Sequence, residues 1–332
     1  MRWWCVAVNE SWSWVPRPYL GVWVLCIGLL VTHAVVTRRH NRRFPETLDG
    51  REGRRAVWFA LGVGVLWLAS DWPVGALGAG YLSSVHMLQY MLYTLGAAPL
   101  LMLGTPEWMA RAIVDRTHTA SAVRLLTRPL VAAILFNLVL LATHAPVSVD
   151  TLRSTQVGNF ALDMIWLLSG LLLWAPVINP IVEWRARSAP ARIVYLFCAA
   201  ALIPMIPGGF IAFSPQPLYA TYELAPRVGL SALNDQQMAG VLMKIGNIPV
   251  IWAVMGVIWF RWYESEQRSS RRRQPVRGGD RRATPERRWP RAAPVASTRP
   301  LPPARTSTDP FTVGFEARFA AVGCRRVGMA SR

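Results

Sequence analysis

Up to about residue 262 the chain alternates long apolar runs with short polar loops, and beyond that point the long runs stop. A helix needs about 20 apolar residues to cross the hydrocarbon core of a bilayer. By that measure the runs predict seven spans, at approximately 19–36, 56–72, 81–103, 129–145, 158–178, 192–213 and 235–259. The expected fold is an all-α membrane protein. It would have an interfacial segment (1–18), a bundle of seven transmembrane helices (19–262) and an Arg/Pro-rich disordered tail (263–332). Pro204 and Pro207 with Gly208 and Gly209 predict a kink in the sixth run. Residues 107–126 read as one amphipathic surface helix, with His118 solvated on it. His40, in the first Arg-rich loop, has the same expected status. Trp3, Trp4, Trp12 and Trp14 suit an interfacial belt before the first span.

Charge adds an orientation. Seven arginines lie between the first two runs (38, 39, 42, 43, 51, 54, 55), four between the third and fourth, and three between the fifth and sixth. The alternate loops hold none, Arg153 alone and Arg227 alone. Loops rich in arginine stay cytoplasmic, so the N-terminus is expected outside and the C-terminus inside. Of the net charge of +18, much sits in the tail, which has 17 arginines from Arg261 onward. Anionic lipid headgroups are the expected partners of the Arg-rich loops and tail, and no nucleic-acid partner is expected. The four cysteines are isolated, with no metal-ligand spacing, and Cys26 and Cys198 read as small core hydrophobes.

The third run carries an unusual polar stripe. His86, Gln89, Tyr90 and Tyr93 stand at i, i+3, i+4 and i+7, hence on one helix face. Polar groups at membrane depth face protein or water. Counting along the runs puts His86, His144, Asn159, Asp163 and Asp235 at one level, in the extracytoplasmic third of the bundle. His86, Tyr90, His144 and Asp235 are the candidate metal residues. Asp163 and Lys244 are ionisable groups inside spans, and their depths predict an ion pair with a purely structural role.

At these residues the chain resembles the CtaG family of bacterial cytochrome c oxidase assembly factors. The resemblance covers about residues 19–262. It rests on SSVHMLQYMLYTLGAAPLLMLGTPEW (83–108), ATHAP (142–146), GLLLWAPVINP (170–180) and SALNDQQMAGVLM (231–243). The family usually has a second histidine where Tyr90 stands, two histidines near Asn159 and Asp163, and a tryptophan at Lys244. What the resemblance implies is a seven-helix accessory protein of the bacterial inner membrane, not an enzyme. Its partner would be a haem-copper oxidase subunit, with copper bound or handed over at the cluster. Copper(I) favours imidazole, thiolate and thioether ligands, so the missing histidines keep open a second reading, a metal-free scaffold that docks an immature oxidase subunit. A third reading is a solute or proton pathway lined by His86, Asp163 and Lys244. No nucleophile–base constellation or phosphate loop points to catalysis.

Overall fold

A computed structural model describes residues 2–47, 50–186 and 188–273, and the side chains of these except 47 and 271–273. The regular elements among the described residues are helices, with no strand among them. The first long helix, α1 (Leu20–Arg43), buries only Val22, Cys26 and His33 and leaves Val24, Ile27 and Val31 exposed. Such a helix is stable only where its surroundings are themselves apolar. α2 (Glu52–Ser70) continues after a 45° bend as α3 (Val74–Gly80). Asp71, at that bend, accepts from the Tyr19 amide at 2.9 Å and the Trp23 indole at 2.8 Å, fixing the start of α1 to it.

The third run is α4 (Ser83–Met91), a π-helical turn (Leu92–Ala97) and α5 (Ala98–Gly104). The sixth is built in the same way, from α11 (Ala189–Leu196), a π-helical turn (Phe197–Leu202) and α12 (Met205–Phe213). In both, the widened turn lies just before a proline, Pro99 or Pro204, which has no N–H for the preceding turn. The sixth run is thus interrupted at Pro204, while Pro207 lies inside α12, and its π turn lies on the N-terminal side of both.

The predicted surface helix is two helices, α6 (Glu107–Arg116) and α7 (Ala120–Leu126). They break at His118, whose φ of +53° is left-handed. α8 (Pro129–His144) and α9 (Pro146–Arg153) each begin at a proline that suits a first helical position. The Thr155 hydroxyl accepts from Gly158 N at 3.0 Å and starts α10 (Gln156–Ile178). After the single turn α13 (Ala220–Glu223), the last run divides into α14 (Ala232–Ile245) and α15 (Ile248–Arg273).

Five helices are long and apolar enough to cross a membrane, and up to seven if each bent pair is one span. They point to a membrane protein. α10, with 56% of its apolar window buried, lies inside the bundle, whereas α1, with 17%, lies at its edge. α4 and α5 pack against α2, α10 and α14, which puts the polar stripe at the centre. Gly208 and Gly240 let α12 and α14 touch backbone to backbone: a Cβ on Gly240 would meet Ala212 N at 2.3 Å.

Three expectations change. Cys198 is exposed on the sixth run rather than a core residue, because its position in the π turn faces outward. Trp4 is fully buried instead of interfacial. Residues 263–273, read as the start of the tail, continue α15, and the tail from 274 onward lies outside the described residues.

Candidate functional site

The site lies at the end of the bundle away from the Arg-rich loops and is organised by Arg153, at the end of α9. Its side chain is completely buried. The Nε and Nη2 groups donate to His86 Nδ1 at 3.2 and 3.0 Å, and Nη2 also donates to Gln89 Oε1 at 3.0 Å. Nη1 donates to Asn159 Oδ1 and lies 3.6 Å from Asp163 Oδ1. The guanidinium also stands over the Trp166 ring, 5.0 Å from its centroid. The expected pair of Asp163 with Lys244 is therefore absent: Asp163 faces Arg153, and Lys244 is half-buried, 5.2 Å over the Phe213 ring. α14 packs most on α12, where Lys244 meets Phe213, whereas Asp163 on α10 is reached by Arg153 from the end of α9.

The N-terminal segment closes the network. The Trp4 indole donates to Asp163 Oδ2 at 2.9 Å, and Asn159 Nδ2 donates to the Cys5 carbonyl at 2.9 Å. Ala7 N donates to the Arg153 carbonyl at 3.0 Å. Gln156 Oε1 accepts from the amides of Trp3 and Trp4 at 2.8 and 3.2 Å.

Of the four candidate metal residues, three come together. The ring centroids of His86 and His144 are 5.5 Å apart and edge to face, and Tyr90 meets His144 at 4.8 Å. Trp166 lines the same group, 4.9 Å from His86 and 5.6 Å from His144. The whole stripe of His86, Gln89, Tyr90 and Tyr93 is buried, as its spacing predicted. His144 Nδ1 lies 2.8 Å from the Leu140 carbonyl, an acceptor only, so that nitrogen carries the proton. The Tyr222 hydroxyl, with one proton to give, lies 2.6 Å from the Gly78 carbonyl and 2.8 Å from His86 Nδ1. Among the described residues of this cluster, His86 Nε2, Tyr90 Oη, His144 Nε2 and Asp163 Oδ1 are buried without a hydrogen-bond partner.

Asp235 has a different task. Its Oδ2 accepts from Ser83 N and Oγ at 2.5 and 2.7 Å, and Oδ1 accepts from Ser84 N at 3.2 Å and from Ser84 Oγ. A carboxylate borne by α14 thus caps the positive N-terminus of α4, the helix that carries His86. Its own helix is capped instead by Ser231, which accepts from Asn234 N at 3.2 Å.

These contacts bear on whether the residues suit copper(I). An arginine only donates, so His86 Nδ1 must accept, and neutral His86 carries its proton on Nε2. Ligation through Nε2 would need the opposite tautomer. All four Asp235 contacts come from donors, and a phenol is a poor soft ligand. His144 Nε2 is the one free imidazole lone pair of the four-residue set, so the set as arranged does not fit copper(I). Among the described residues, no group of three or more His, Cys, Asp and Glu could hold a metal ion.

Sequence reasoning counted Arg153 only as a loop charge, and missed Trp166 and Tyr222. A signal was present: Arg153 is the one basic residue in its loop, close in sequence to two polar positions inside a span. At the opposite end, His118 is exposed as expected, while His40 is half-buried and stacks on Trp108 at 3.7 Å.

No curated protein and no solved structure matches the chain. A family model described as cytochrome c oxidase caa3 assembly factor (Caa3_CtaG) matches residues 31–265. The match takes in the polar stripe, Arg153 and Asp235, over well more than half of the 332 residues. This chain belongs to the caa3-type cytochrome c oxidase assembly factor family.

Proposed function

We propose that the chain serves oxidase assembly as a metal-free membrane scaffold that docks an immature oxidase subunit. The observation that carries this reading is the bond from Arg153 to His86 Nδ1, which turns the central histidine away from ligation. The cluster then acts as a keystone. It locks the N-terminal segment, α4, α9 and α10 into one rigid end against which a partner's helices can pack. The bundle crosses the bacterial inner membrane seven times, N-terminus outside, with its Arg-rich loops on anionic cytoplasmic headgroups.

The test is recovery of an oxidase subunit with the tagged full-length chain from solubilised membranes, with the metal content measured in the same sample. The scaffold reading expects the subunit with no stoichiometric copper. Its failure would be no subunit, or a subunit retained only when copper is supplied. A second reading, copper hand-over, is favoured by one observation, the three unpartnered atoms on His86, Tyr90 and His144. It expects copper in the sample that is lost in His86→Ala and His144→Ala.

A further inference from the structure

The acceptors around Arg153 are oriented before they reach it. The Gln89 amide donates to the Ala69 carbonyl at 2.9 Å, which leaves its oxygen for the guanidinium. The Asn159 amide donates to the Cys5 carbonyl and presents its oxygen in the same way. Asp163 is held through its other oxygen by Trp4, and the Trp166 face closes one side. One imidazole nitrogen, two amide oxygens and one carboxylate from α4 and α10 therefore converge on a single point, with the amides and the carboxylate held by neighbours. Convergent, pre-oriented acceptors in a dry interior are what a bound cation requires. Here the point is filled by the chain's own guanidinium.

We propose that this is a cation site whose resident cation is Arg153. The guanidinium does for this end of the bundle what a bound ion would otherwise do: it neutralises Asp163, satisfies the amide oxygens and sets His86 as an Nε2–H donor. The planar fork of five N–H groups suits acceptors spread around it, which a lysine ammonium would not match. The inference rests on the metal-free reading of the cluster and not on which subunit docks.

Arg153→Ala should leave a cage with one unpaired buried carboxylate. In detergent, the midpoint of thermal unfolding should fall by about 10 °C. Millimolar guanidinium or methylguanidinium should restore a good part of that loss, equal sodium chloride should not, and the wild type should respond to neither. An unchanged midpoint, or a loss that guanidinium restores no better than sodium chloride, would overturn the proposal. Should the variant fail to fold, the intact chain decides by itself. With 15N-histidine labelling and His86→Gln to assign the signal, His86 should show a bare Nδ1 and a protonated Nε2. A protonated Nδ1 would overturn the proposal. Neither readout depends on oxidase recovery, so a failed docking experiment would leave this result standing, and the reverse.

Discussion

Arg153 and Arg111 stand at opposite ends of the bundle and differ more in surroundings than in number of partners. Arg111 bonds Glu107 at 2.7 and 3.0 Å and Glu183 at 2.8 Å, two full carboxylates, yet about 40% of its side chain is in contact with solvent. Arg153 has a single carboxylate at 3.6 Å, and its remaining acceptors are neutral. Counting opposite charges would rank Arg111 first. Burial reverses the order, because water screens the exposed cluster while nothing replaces a lost partner in the interior.

The largest effect is expected for the buried pair. Arg153→Ala and Asp163→Asn should each cost about 3–5 kcal/mol, since each leaves one partner unsatisfied in a dry site. The double variant Arg153→Ala, Asp163→Asn should cost less than the sum, and a double-mutant cycle of thermal midpoints measures that coupling. Additive losses would mean that the two residues act independently. Next comes Asp235→Ala, which strips α4 of a carboxylate that accepts four hydrogen bonds. A loss of about 2–3 kcal/mol is expected, read as a lower midpoint and faster amide exchange over 83–86. Arg111→Ala should cost under about 1 kcal/mol and lose its effect in high salt.

The smallest effect concerns Glu10, an exposed residue whose carboxyl is held below its ordinary range by hydrogen bonds from Arg2 and Arg17. A depressed carboxylate contributes above its unfolded pKa and loses that contribution as pH falls through the folded value. The exposure makes this slight, so Glu10→Gln should leave the midpoint unchanged at neutral pH and at mildly acidic pH alike.

From the sequence both arginines are loop charges, and what separates them shows how much could be read there. Apolar runs fix where helices lie and how deep each residue sits, and period 3.6 fixes which residues share a face. The buried stripe followed from the period, and apolar run position gave His86 and His144 one expected level. Which way one helix turns relative to another does not follow, because it depends on packing such as the Gly208–Gly240 contact. Lys244 therefore lies over Phe213 on α12, and Arg153 takes the place expected for it at Asp163. Asp235 read as a candidate metal residue, whereas it caps α4, a helix distant in sequence. Trp4 and Arg153 lie outside the apolar runs, where periodicity says nothing, and both fold back into the core.

The most direct test is an anaerobic copper(I) titration of the purified full-length chain against a competing chelator, repeated with His86→Ala and His144→Ala. If Arg153 holds the cluster as described, wild type and variants should show the same weak, non-stoichiometric binding. One tight copper per chain, abolished by either substitution, would contradict the account.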